Sequence, residues 1–273
     1  MMKSEVIRWL DIGATGTYLD CTAGYGGHFT EIANYASQGR VIAIDQDIEA
    51  IRHLKSKFKD VYHLNFDSIA TSSTLKDLKF DGILLDLGVS SHQLDEAERG
   101  FSFSKEATLD MRMNQAEELS ALSIINEYSE EEIADILWKY GQEKASRHIA
   151  AAIVSARPLT TTTDLAKVVR QVINRRGKTD SATRTFQALR IMVNRELERL
   201  ERSLPDLIGR LKPGGRIVIL TYHSLEDRIV KTLLKSDRRL EVLTKKPITP
   251  QDGEISNNPR ARSAKLRAAS KQT

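Results

Sequence analysis

The sequence predicts an α/β protein built on an open, mainly parallel sheet that is interrupted by an all-helical insertion. Three observations carry this reading. Short apolar runs at 18–19, 41–45, 61–64, 80–87 and 216–221 alternate with helix-spaced segments. The run Phe80-Asp-Gly-Ile-Leu-Leu-Asp86-Leu is nearly all apolar, as a strand covered on both faces must be. About 130 residues then separate it from the next clear strand, and that interval reads as helix.

Taken in order, Tyr18-Leu19 leads into Asp20-Cys-Thr-Ala-Gly-Tyr-Gly-Gly-His28, a glycine-rich turn, and Phe29 to Tyr35 continues as helix. Val41-Ile-Ala-Ile-Asp45 is a second strand ending in a carboxylate. Apolar residues at 48, 51, 54 and 58 mark a helical face. Val61-Tyr-His-Leu is a third strand with Asn65-Phe66 at its end, and 80–87 is the fourth, with Asp86 at its carboxyl end. Within the interval, Ser129-Glu-Glu-Glu132 is a capping box opening a helix. Lys144 to Ala156 is an alanine-rich helix ending before Arg157-Pro158. Asp164 to Arg175 is a further helix, stopped at Gly177. Residues 105–182 are therefore the inserted helical domain. Residues 1–104 and 183–273 form the sheet domain, with one long helix from Thr183 to Leu211 packed on the sheet. Leu211-Lys-Pro-Gly-Gly is a helix stop and turn ahead of the fifth strand, Arg216 to Thr221. Pro247 to Asn258, with proline, glycine and asparagine, reads as a loop.

Strand, glycine-rich turn and helix together form a receptor for a nucleotide-like ligand, because glycine lets the backbone approach it closely. Asp45 is placed to accept hydrogen bonds from both hydroxyls of a ribose. The order Asp20-x-x-x-Gly24-x-Gly26-Gly27 departs from the Gly-x-Gly-x-x-Gly dinucleotide fingerprint. A carboxylate ahead of the glycines would repel a pyrophosphate, but it suits the cationic amino-acid end of S-adenosylmethionine. The spacing thus favours that cofactor over NAD. A dehydrogenase is the rival reading, and cofactor titration separates the two.

Composition bounds the rest. The chain has 273 residues, enough for a sizeable core. No apolar run reaches membrane-spanning length, and the first nine residues are too polar for a signal peptide. The single cysteine, Cys21, cannot form an internal disulfide and makes a cysteine metal site improbable. A cytoplasmic location is the expectation. The net charge of +4 is uneven: residues 231–273 hold 11 Lys or Arg against 4 Asp or Glu. A basic tail on a near-neutral body implies a polyanionic partner, with a solvated chain end as the plainer alternative.

Six blocks carry a family resemblance: Asp86-Leu-Gly-Val-Ser-Ser-His-Gln-Leu-Asp95, Glu98-Arg-Gly-Phe-Ser-Phe103, Leu109-Asp-Met-Arg-Met113, Thr183-Arg-Thr-Phe-Gln-Ala-Leu-Arg190, His223-Ser-Leu-Glu-Asp-Arg228 and Asn258-Pro-Arg-Ala-Arg-Ser263. In order and register they resemble the bacterial 16S ribosomal RNA (cytosine N4)-methyltransferases, the MraW family. The resemblance implies a class I Rossmann-like methyltransferase sheet with an inserted helical domain that recognises RNA. It implies S-adenosylmethionine as cofactor, 16S rRNA or the small ribosomal subunit as partner, and one cytosine of the decoding centre as target. It implies cofactor contacts from Gly26, Gly27, His28, Asp45, Phe66, Asp86 and Gln93. Arg112, Arg184, Arg260 and Arg262 are the RNA-binding candidates. The chain starts after the family's opening His-x-Pro-Val-Leu stretch, so either the start codon lies further upstream or a short cofactor-lid segment is absent, and the resemblance leaves the affinity for the cofactor open. His92 replaces a proline usual in the family, which frees a backbone N–H and loosens the setting of Gln93.

Methylation of cytosine at carbon 5 needs a cysteine nucleophile, and Cys21 lies in the cofactor loop. The six histidines show no metal-ligand spacing with acids, so no metal is expected. Transfer to a nitrogen needs only alignment and an acceptor that draws the amine's lone pair out of conjugation. Asp86 is the first candidate on position. His223, at the end of the fifth strand, is the second, with a packed strand-end histidine as its alternative. The remaining rival is a non-catalytic ribosome-binding or assembly module, which a turnover assay would distinguish.

Overall fold

A computed structural model of the chain describes residues 1–173 and 180–272. It divides into two compact units, one formed by Met1–Gly88 with Leu197–Thr273 and the other by Val89–Glu196.

In the first unit the order is α1 (Lys3–Leu10), β1 (Thr17–Asp20), α2 (Gly27–Tyr35), β2 (Arg40–Asp45), α3 (Ile48–Lys55), β3 (Val61–His63) and β4 (Phe80–Asp86). The second unit holds α4 (Ser91–Asp95), α5 (Ala121–Glu127), α6 (Glu130–Gly141), α7 (Ser146–Ser155), α8 (Thr162–Val172) and α9 (Thr183–Asn194). The chain returns to the first unit through α10 (Glu196–Gly209), β5 (Leu211–Thr221), α11 (Ser224–Ser236), β6 (Leu240–Val242), α12 (Asp252–Asn257) and β7 (Lys265–Lys271).

The seven strands form one sheet in the order β3-β2-β1-β4-β5-β7-β6. The first five run parallel; β7 is antiparallel to both β5 and β6. Successive side chains alternate between the faces. Leu19, Ile83, Leu85, Ile217 and Ile219 pack with Leu200 and Leu204 of α10 and Val230 and Leu234 of α11. Tyr18, Leu84, Val218 and Leu220 pack with Val6 and Leu10 of α1 and Ile32 of α2. Both faces are covered, which is why these strands read as unbroken apolar runs. Among the described residues no helix is long and apolar enough to cross a membrane.

The five parallel strands lie where the sequence reading put them, β5 with an earlier start; β6, β7 and the boundaries between the units do not follow it. The insertion begins at Val89 and ends at Glu196, not at 105 and 182. Residues 183–211 are not one helix on the sheet. Arg195 adopts a left-handed φ of 49° and separates α9 from α10. Helix α9 buries Phe186, Ala188, Leu189 and Val193 in the core of the helical unit, and only α10 packs on the sheet. Residues 105–120 hold no helix. The expected 164–175 helix corresponds to α8, which ends at Val172; the stop at Gly177 lies outside the described residues. Strand β5 starts at Leu211, so Lys212-Pro-Gly-Gly lies in its irregular opening, with a register shift against β4 between Phe80 and Gly82. Part of the 247–258 loop is the short helix α12. The basic tail is no frayed end either. Its β7 lies between β5 and β6, and Arg267, 5% exposed, pairs with Asp227 at 2.7 Å.

Candidate active site

The chain passes from β1 to β2 and β3 on one side, then crosses to β4 on the other, so the strand order reverses between β1 and β4. The carboxyl ends of parallel strands open into a crevice at such a reversal, and ligands bind there. Asp20 ends β1, Asp45 ends β2 and Asp86 ends β4.

The loop after β1 supplies the backbone. Gly24 and Gly26 have φ of 50° and 87°, a left-handed conformation that side chains rarely tolerate. A Cβ on Gly26 would also stand 2.7 Å from Leu54 Cδ2. Gly27 opens α2 and differs: a Cβ there would meet nothing within 4 Å. The protein's own packing therefore explains Gly26, whereas the space beside Gly27 is free for a ligand.

Asp45 closes the same loop. One carboxylate oxygen accepts from the Gly24 N–H at 2.7 Å and the other from the Asp47 N–H at 2.8 Å. Burial pushes its carboxyl up to about 6, against the pull of those N–H donors. It remains partly exposed, and each oxygen retains acceptor capacity for a hydroxyl pair.

Asp20 is 1% exposed. Its Oδ1 accepts from the Thr22 N–H at 3.1 Å, while Oδ2 is buried without a hydrogen-bond partner among the described residues. Burial pushes its carboxyl up to about 7, with nearby His28 opposing. Among the described residues, neither ring nitrogen of the buried His28 has a hydrogen-bond partner. Unsatisfied polar atoms are rare in native interiors. Their clustering beside a glycine loop fits a cofactor with a polar, cationic end.

Asp86 stands beside them. Its N–H donates to Thr22 Oγ1 at 2.6 Å, its Oδ1 accepts from the Tyr222 hydroxyl at 2.6 Å, and its Oδ2 lies 3.4 Å from His28 Nε2. The sequence reading brought Asp86 and His28 to one site and missed Tyr222 and Thr22. Tyr222 follows the last residue of β5, the strand beside β4. That adjacency joins segments about 130 residues apart and leaves no local signal.

The other candidates fall differently. Phe66 opens a 3-10 turn after β3 and packs, partly buried, against the core around Ile44 and Ile69. Gln93 belongs to the helical unit, where its side chain accepts from the Ser90 N–H at 3.0 Å to complete a capping box. His92 does not loosen that turn, because the box closes around it. His223 is the N-cap of α11 and makes a reciprocal box with Glu226: its Nδ1 accepts from the Glu226 N–H at 3.4 Å, and its buried Nε2 lies 3.1 Å from Glu226 Oε1. Arg112 is held by Asp110 through Nε and Nη2 at 2.8 and 2.7 Å, and by the carbonyls of Gln115 and Glu117 through Nη1. Most of its donors are thus spent on ordering its own loop. Arg184, Arg260 and Arg262 are exposed.

An open sheet of this order, with a glycine loop after β1 and acids at the carboxyl ends of β1, β2 and β4, defines a class I methyltransferase fold. The chain belongs to the MraW methylase family, whose model matches residues 1–272, and its methyl donor is S-adenosylmethionine. A ribosomal RNA small subunit methyltransferase H from Trichodesmium erythraeum is 50% identical over 277 residues, covering 99% of this chain and 98% of its own. The enzyme of that name from Nostoc punctiforme is 50% identical over 278 residues (99% and 93%). Its counterpart from Clostridium botulinum is 45% identical over 303 residues (99% and 97%).

Proposed function

We propose that this protein transfers a methyl group from S-adenosylmethionine to the exocyclic N4 of one cytidine in the decoding centre of 16S rRNA. The observation that carries the reading is the setting of Asp86, a carboxylate at the switch point with one oxygen held by a phenol. Bound in the crevice, S-adenosylmethionine supplies an electrophilic methyl group. The loop 24–27 and Asp45 would hold it, with Asp20 and His28 meeting its polar end. Asp86 would accept a hydrogen bond from the cytosine amine, draw its lone pair out of ring conjugation, and take the proton that methylation releases.

Two further features support transfer to nitrogen. Cys21 is 2% exposed and burial pushes its thiol up, so it is no nucleophile for the pyrimidine ring. His223 is engaged in capping α11, which favours Asp86 as acceptor. Exposed Arg184, Arg260 and Arg262 suit contacts to RNA phosphate. An intact loop, Asp45 and Asp86 together favour an enzyme over a non-catalytic assembly module.

The test is to incubate the protein with labelled S-adenosylmethionine and small subunits lacking the modification, then map the labelled nucleotide. N4-methylcytidine at a single site is expected; a ring-carbon product would overturn the mechanism. Asp86→Asn keeps the shape and removes the charge, and should lower the rate by roughly 10²-fold or more.

A further inference from the structure

We propose that Tyr222 is a positioning residue that fixes the Asp86 carboxylate and reserves one of its oxygens for the substrate amine. The inference rests on the reading of Asp86 as acceptor and goes beyond it.

The Tyr222 hydroxyl donates to Asp86 Oδ1 at 2.6 Å, a charge-assisted hydrogen bond of the short, strong kind. The phenol is itself held. The Tyr222 N–H donates at 2.8 Å to Glu226 Oε2, and Glu226, 1% exposed, also accepts from the His223 N–H at 3.3 Å. The ring therefore enters the crevice from a backbone pinned to the first turn of α11. Thr22 fixes the Asp86 backbone from the opposite side at 2.6 Å. A carboxylate clamped by a phenol on Oδ1 presents Oδ2 in one orientation, and orientation of the acceptor is a large part of what such a site contributes.

The charged and titratable groups around this pair come from every neighbouring element. Asp20 at the end of β1 and His28 of α2 face Asp86. Glu226 of α11 and Glu254 of α12 face Tyr222 together with Asp86 itself. Burial above all, and then the three acids around the phenol, hold its proton in place, so Tyr222 is a donor across the working pH range.

Tyr222→Phe keeps the ring and its packing and removes the donor. We expect kcat to fall roughly tenfold, with KM for the RNA substrate within about twofold of the wild type and the melting temperature unchanged. Incorporating 3-fluorotyrosine at 222 keeps the donor in an unchanged fold and should hold kcat within about twofold of the wild type. In Asp86→Asn, adding Tyr222→Phe should cost no more than about twofold, because the charged acceptor that the phenol orients is gone. A wild-type kcat in a folded Tyr222→Phe protein, with Asp86→Asn slow, would overturn the positioning role alone. A wild-type rate in Asp86→Asn would instead remove the acceptor reading on which it rests. A Tyr222→Phe loss carried by KM, or one that multiplies in full with the Asp86→Asn loss, would reduce Tyr222 to packing and reject the inference.

Discussion

Asp20 concentrates the cost of building this site. It is a buried carboxyl with one oxygen unpartnered, pushed up to about 7. In the unfolded chain it titrates near an ordinary value of ~4. A carboxyl raised on folding contributes its full stability below pH ~4, loses it as pH rises, and has none left above its folded value. The apoprotein should therefore lose stability between about pH 4 and 7 on account of Asp20, by on the order of a few kcal/mol. Asp20→Asn keeps the Thr22 contact and removes the titration. The melting temperature of the wild type should fall relative to that of Asp20→Asn between about pH 4 and 7. Parallel curves would show that Asp20 ionises in the fold without penalty. A residue that destabilises its own apoprotein in this way is held there by what it does for a ligand.

At the scale of the element, the glycine loop separates two reasons for one residue type. Gly26→Ala meets both a left-handed φ and Leu54, and should cost about 1–3 kcal/mol of stability. Gly27→Ala adds a methyl group to open space at the first turn of α2, so its melting temperature should match or exceed the wild type's. Its affinity for S-adenosylmethionine, read by calorimetry, should fall roughly tenfold or more as the methyl enters the ligand's space. Full affinity would mean the ligand does not approach that face. The positions of both glycines were legible in the sequence, between a short apolar strand and a helix, and so were those of Asp45 and Asp86, because each ends a short apolar strand. The elements that escaped lacked punctuation of that kind. The break between α9 and α10 falls at Arg195, with neither glycine nor proline, while Pro205 sits inside α10. Tyr222 escaped because its partner comes from a strand neighbour on the far side of the insertion.

For the whole molecule the proposed function leaves the question of where RNA would be gripped. Charge alone pointed to the tail from 231 onward, and deletion from 257 would be the simplest way to probe it. The structure rules that probe out, since β7 is an interior strand of the sheet and its removal would strip β5 of a partner and unfold the protein. Nor do all the basic residues count alike. Arg267 is committed to Asp227 and Arg112 to Asp110, whereas Arg184 of the helical unit is exposed with only a long 3.7 Å contact to Glu143, and Arg262 of the sheet unit is exposed. Each arginine bound to a phosphate releases counterions and adds about one unit to the slope of log affinity against log salt. Arg184→Ala and Arg262→Ala should each lower that slope by about one for small subunits lacking the modification, and by about two together, with cofactor affinity unchanged. Arg112→Ala should instead lower the melting temperature, because its guanidinium ties residues 110–117 together. If the slope stays at the wild-type value in the double variant, neither residue touches phosphate, and the positive surplus of the tail serves the fold and its solubility alone.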